Sequence, residues 1–198
     1  MNTMAEPIAE AISQQDVLDT MDLVHSEIEA TVRGVKPQQV IELAAQLREA
    51  PRVFVAGAGR SGLALRMAAM RLMHLGLAVH VAGDATTPAI AEGDLLLVAS
   101  GSGTTAGVVQ SVRTAQRAGA RIAAITTDPS SPIGTAAHVL VEVPAAGKTD
   151  HGSSITRQYS GSLFEQALFL ITEIVFHTLW SADDATAQQL WQRHANLE

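Results

Sequence analysis

Apolar residues recur along this chain in two rhythms, and the change of rhythm divides it. Over the first fifty residues Ile8, Ile12, Leu18, Met21, Val24 and Ile28 return at mixed three- and four-residue steps, the spacing of one helix face. Pro37 then opens a second helical stretch carrying Val40, Ile41, Leu43, Ala44 and Leu47. Proline suits a first helical turn because its missing N–H would have no partner there. No group of chemistry-bearing side chains stands in this part, and the pattern reads as a helix pair for packing or oligomerisation.

From Pro51 short apolar runs alternate with helical stretches. The runs are Val53–Ala56, Ala78–Ala82, Leu95–Ala99, Arg121–Thr126 and Val139–Val143. Their nearly unbroken apolar character is that of parallel strands buried on both faces. Helices are expected over 61–75, 104–118 and, briefly, 132–137. This alternation predicts a three-layer α/β/α fold around a five-stranded parallel sheet of flavodoxin-like order 2-1-3-4-5. A polar segment, Ala145–Ser160, carries Lys148, Asp150, His151 and Arg157. It either closes over a ligand or merely connects.

The helix expected next, Gly161–Trp180, is apolar around nearly its whole circumference, which predicts burial, and in so small a chain burial against another subunit. A last helix is expected at about Ala182–His194. The chain then reads as one domain over 1–198. Helices run to about residue 50, a doubly wound core spans 51–144, and packing helices fill 160–198.

Composition narrows the function classes. Lysine plus arginine number 13 against 20 aspartate plus glutamate, a net charge of −7. That argues against nucleic-acid binding, which needs a basic surface to neutralise phosphates. With 47% hydrophobic and 17% charged residues in 198 positions, the chain can bury a core and is not of disordered type. It has no cysteine, which excludes disulfides, thiolate metal sites and cysteine nucleophiles and agrees with a cytoplasmic location. The start, with Glu6 and Glu10, lacks the basic region of a secretory signal. Glu165, Gln166, Glu173 and His177 interrupt the most apolar stretch, so no membrane span is expected.

Two glycine- and hydroxyl-rich segments follow the first and third predicted strands. The first, Gly57-Ala58-Gly59-Arg60-Ser61-Gly62, matches the G-x-G-x-x-G dinucleotide pattern, with Asp84 placed where a ribose-binding acid would stand. The second is Ser100-Gly101-Ser102-Gly103-Thr104-Thr105. Glycines let backbone N–H groups approach an anion, a helix N-terminus adds unpaired donors and partial positive charge, and hydroxyls add neutral donors. The plain alternative is that Ser102 or Thr104 caps the helix. In the 2-1-3-4-5 order the first and third strands are neighbours, and the crevice at their carboxyl ends is the expected ligand site. A dinucleotide needs one glycine loop. A single phosphorylated small molecule lying across the crevice uses both.

At these residues the chain resembles the sugar isomerase (SIS) domain family, and within it the 6-phospho-3-hexuloisomerase group. The resemblance rests on Gly57–Gly62, on Met70-Arg71-Leu72-Met73-His74-Leu75-Gly76, on Ser100–Gly103 and on Gly161-Ser162-Leu163-Phe164-Glu165, in that order and spacing. It covers about Val40 to Trp180. Thr104 departs from the family loops, which often carry glutamate there.

The resemblance implies an isomerase moving a carbonyl along a sugar phosphate through a C2–C3 enediolate, built as a homo-oligomer (a dimer or tetramer) and needing no cofactor or metal. It implies that Ser61, Ser100, Ser102 and Thr105 hold the sugar phosphate, with a base at Glu165 and His74 near the site; the loops themselves offer Gly59, Arg60, Gly101, Gly103 and Thr104 as further substrate contacts. The rival readings are another phosphosugar isomerase, of the sedoheptulose 7-phosphate or arabinose 5-phosphate type, and a sugar-sensing module without catalysis.

Each residue also has a plainer explanation. An acid in a first helical turn, as Glu165 is expected to be, is favoured by the helix dipole whatever its function. His74, near a helix C-terminus, is favoured there when protonated. Arg60 could be a solvated surface arginine. Glu173 and His177 sit four apart on one helix and read as a packing-helix pair rather than the start of a metal site.

Overall fold

A computed structural model describes residues 12–146, 156–159 and 161–197. The helices are α1 (Gln14–Arg33), α2 (Pro37–Glu49), α3 (Gly59–His74), α4 (Ala106–Arg117), α5 (Pro132–Ala136), α6 (Ser162–Ser181) and α7 (Ala187–Trp191). The strands are β1 (Val53–Gly57), β2 (Val79–Val81), β3 (Leu95–Ala99), β4 (Arg121–Thr126) and β5 (Val139–Glu142). Ile8, Lys148, Asp150 and His151, read above in a helix pattern and a polar segment, lie outside the described residues.

All five strands are parallel, in the order β2-β1-β3-β4-β5, as the alternation of runs predicts. Successive side chains of each strand face opposite sides, so the sheet feeds two cores. Val53, Val55, Leu95, Leu97, Ala123, Ile125 and Val141 pack with residues of α2, α3 and α6. Phe54, Ala56, Leu96, Val98, Ile122 and Ala124 pack with α4 and Ile133 of α5. Helices therefore cover both faces, and α3 and α4 leave neighbouring strands on opposite sides.

One expectation changes, at the end of the chain. Within the single chain α6 buries one face. Leu163, Phe164, Ala167, Leu168, Ile171 and Val175 enter the core, but Leu170 and Ile174 stay exposed. Its length and composition also match a membrane span, although that inner face belongs to the sheet. The last helix is shorter than expected, only Ala187–Trp191. Asp183 Oδ1 accepts from the Ala185 N–H at 2.9 Å and Trp180 Nε1 donates to the Ala185 carbonyl at 2.8 Å, which turns the chain out of α6. Thr186 and Gln189 then form a capping box that starts the helix anew.

The first glycine loop serves close packing before any ligand. A Cβ on Gly62 would lie 2.7 Å from the Gly57 carbonyl oxygen, and one on Gly57 would lie 3.0 Å from Gly62 Cα. Strand β1 and helix α3 thus touch backbone to backbone. Gly62→Ala should cost about 1–3 kcal/mol through overpacking, read as a lowered thermal midpoint by circular dichroism. Gly107→Ala meets open space and should leave the midpoint unchanged or raise it.

Candidate active site

In the β1–β3 pairing Gly57 lies opposite Ala99. The residues that follow each of them open the two hydroxyl loops, so both loops stand side by side at the carboxyl edge of the sheet. Ser100 and Ser61 are buried, Ser102 and Thr105 half-buried, and Thr104, Arg60 and Gly59 exposed. The simple capping explanation of the second loop does not hold. Thr105 occupies the N-cap of α4 without capping it through its side chain; its hydroxyl lies 2.9 Å from that of Ser100. Thr104 donates to Ser102 Oγ from both its N–H (3.3 Å) and its hydroxyl (3.0 Å). The start of α4 keeps its partial positive charge directed at the loop.

The first turn of α6 closes the third side. Arg60 Nε meets Glu165 Oε2 at 2.6 Å, with the Glu165 side chain only 9% exposed and that of Arg60 63%. The Phe164 ring lies against Gly101, where an added Cβ would come within 3.3 Å of it. One helix start thus touches both loops. A cavity of about 270 Å³ opens beside them, lined by Gly57, Ala58, Gly62, Arg66, Gly107 and Ser111. It lies toward α4 and omits Glu165, so the site is defined by converging side chains rather than by that hollow.

The approach to α6 is fixed from α1. Glu27 accepts from Thr156 Oγ1 at 2.6 Å, the Arg157 N–H at 2.8 Å and Gln158 Nε2 at 3.0 Å. Partial burial pushes the Glu27 carboxyl up, but these three hydrogen bonds and the Arg157 charge together outweigh it and hold the group below its ordinary value.

Comparison with known proteins then decides the family. Residues 46–171 match the SIS domain model. The chain belongs to the SIS domain family. It is 63% identical over 183 residues to a 3-hexulose-6-phosphate isomerase of Mycobacterium gastri, covering 92% of each chain. It is 36% identical over 174 residues to the Bacillus subtilis 3-hexulose-6-phosphate isomerase, covering 87% of this chain and 94% of that one. A Methanococcus jannaschii protein, whose crystal structure was taken to infer a molecular function of 3-hexulose-6-phosphate isomerase, superimposes with a TM-score of 0.78 at 26% identity. That match covers 91% of this chain and 99% of that one.

In this SIS domain the remaining singled-out residues lie elsewhere. His74 ends α3, 15 residues after Gly59, which is about 22 Å of helix from the loops. It is buried and stacks on His194 with ring centroids 5.3 Å apart. Burial first, then the charges of His194 and Arg71, lower its basicity. Asp84 is held by both terminal nitrogens of Arg66, at 2.7 and 3.2 Å, an ion pair that binds β2 to α3. Glu173 pairs with Arg71 at 3.3 Å, and His177 packs edge-on against Phe176. Among the described residues no group of three or more histidine or acidic side chains could hold a metal ion.

Sequence reading missed the Arg60–Glu165 pair and the Phe164–Gly101 contact. Both join positions far apart in the chain, and no local pattern announces them. It also missed Glu27, whose partners lie about 130 positions away.

The Glu27 cluster sets an acid-side dependence. A carboxylate whose folded value is depressed contributes stability above the unfolded value and loses it as pH falls through the folded one. Glu27→Gln should therefore lower the thermal midpoint near neutral pH, and the gap from the parent should close as pH falls below the ordinary carboxylate range. Melting curves across that range read it directly.

Proposed function

We propose that the protein is a 3-hexulose-6-phosphate isomerase, interconverting D-arabino-3-hexulose 6-phosphate and fructose 6-phosphate in formaldehyde assimilation by the ribulose monophosphate pathway. The observation that carries this reading is the meeting of two hydroxyl loops, at adjacent strand tips, with one nearly buried carboxylate. The 63% identity to an isomerase of that name supports the choice of sugar.

Ser100, Gly101, Ser102, Gly103, Thr104 and Thr105 hold the phosphate with backbone N–H groups and hydroxyls. Gly59, Arg60 and Ser61 line the path of the carbon chain toward Glu165. From the 3-hexulose side the Glu165 carboxylate removes the proton on C2, and the C3 carbonyl oxygen takes up a proton to give the 2,3-enediol. The proton returns to C3 while O2 loses its own and becomes the carbonyl. The Arg60 guanidinium is beside Glu165, and its role on this reading is to stabilise the negative charge that develops on the enediolate oxygens, since fixed donors there lower the barrier.

The helix surfaces support a homo-oligomer. Leu63, Met67 and Met70 form an exposed stripe on α3 at four- and three-residue steps, and Leu170 and Ile174 are exposed on α6. Exposed apolar side chains on two helices favour association. His74 takes part in proton transfer only if another copy brings the end of its α3 helix to this site. A cytoplasmic location fits a metabolic reaction of this kind.

Fructose 6-phosphate incubated with the protein in D₂O should acquire deuterium at C3 as a 3-ketose appears. A folded protein giving neither would overturn the reading. Glu165→Gln should keep sugar-phosphate affinity and lose about 10²–10⁴-fold in turnover, the usual worth of a positioned general base.

A further inference from the structure

The loop that follows β4 holds the second hydroxyl loop from behind. The Gly101 carbonyl oxygen accepts three hydrogen bonds from this side. They come from Thr127 Oγ1 at 2.8 Å, the Thr127 N–H at 3.1 Å and Thr126 Oγ1 at 3.1 Å. The backbone bond extends the β3–β4 ladder one step past the strand ends. The two hydroxyls are additional. Thr126 is wholly buried, and its oxygen also accepts from the Asp128 N–H at 3.2 Å. Ser131 completes the support by donating to the Asp128 carbonyl at 2.6 Å and accepting from the Gly134 N–H at 3.2 Å. Gly103 has φ +64°, and a Cβ there would collide with Ser131 and reach within 3.2 Å of Thr126 Oγ1.

These bonds have a directional consequence. The described peptides are all trans, so the Ser102 N–H points opposite to the Gly101 carbonyl. Three donors draw that carbonyl toward β4. The sheet order then turns the Ser102 N–H toward β1, the side on which Ser61, Arg60 and Glu165 stand. Among the described residues this N–H meets no acceptor.

We propose that Thr126 and Thr127 are positioning residues for phosphate, their hydroxyls locking the Gly101–Ser102 peptide with its N–H aimed at the anion. They touch no substrate and act through the backbone. An unlocked peptide can rotate and present its carbonyl, an oxygen that repels phosphate, to the site. The proposal rests on the phosphosugar reading above, but its test does not require turnover.

The probe is inorganic phosphate, titrated calorimetrically into the full-length protein, alongside the KM and kcat for fructose 6-phosphate. Thr127→Val should weaken phosphate binding and raise KM by about tenfold, the effect of one hydrogen bond, with a smaller change in kcat. Thr126→Val should do the same, and Thr127→Ser should restore the parent values because the donor returns. Ile122→Val, a core change in the same strand, should leave phosphate affinity untouched, which separates orientation from general loosening.

Should the buried Thr126 variant fail to fold, the half-buried Thr127 pair carries the test alone. Unchanged phosphate affinity in folded Thr127→Val overturns the proposal, as does a serine variant that fails to restore it or a parent protein that binds no phosphate. A parent that binds phosphate but does not isomerise fructose 6-phosphate counts against the proposed activity and leaves the threonine pair standing.

Discussion

The structure depends on one constraint, the direct parallel pairing of the first and third strands. Gly57 opposite Ala99 fixes their ends at the same height. Helix α3 turns to the face shared with α1, α2 and α6, while α4 turns to the other. The two connections must diverge, and a crevice opens between them because no chain crosses it. The close contact of Gly57 with Gly62 and the turn at Gly103 let each loop leave its strand within a few residues. Helix α6 then seals the open side through Phe164 and Glu165.

The same crevice bears on how an acidic chain would handle the acidic ligand proposed for it. Its neighbouring cations are already committed, Arg60 to Glu165 and Arg66 to Asp84. On the proposed reading, holding a phosphate falls to oriented dipoles and hydroxyls, whose strength depends on direction rather than net charge. This is why rigidity matters around the second loop. A guanidinium on a long stem can follow its ligand, whereas a peptide N–H contributes only if its plane is held. Every bond that fixes the Gly101 carbonyl is therefore also a statement about the anion.

Much of the sheet was legible because buried parallel strands are written as continuous apolar runs. Leu95–Ala99 and Arg121–Thr126 were read at their observed limits, and the strand order followed from alternation with helices. The pairing of the two hydroxyl loops was legible for the same reason, since topology alone puts them together. Other features were not. The exposed half of α6 looks like its buried half in sequence, because leucine and isoleucine serve a core and an uncovered face alike. The resemblance sets His74 near the site, yet the rise of its helix carries it far from the loops of its own chain. The bonds from Thr126 and Thr127 to Gly101 join residues some 25 positions apart, and propensity has no sight of such pairs.

Glu165 stands on the last long helix, 105 positions after the arginine it pairs with. A ribosome releases the chain from its N-terminus, so all five strands emerge before this helix does. Until then the sheet face that receives Phe164, Leu168 and Ile171 is covered only by the helices that precede α6, among them α2 and α3. The same late helix therefore supplies both the last apolar layer on this face and the carboxylate beside Arg60.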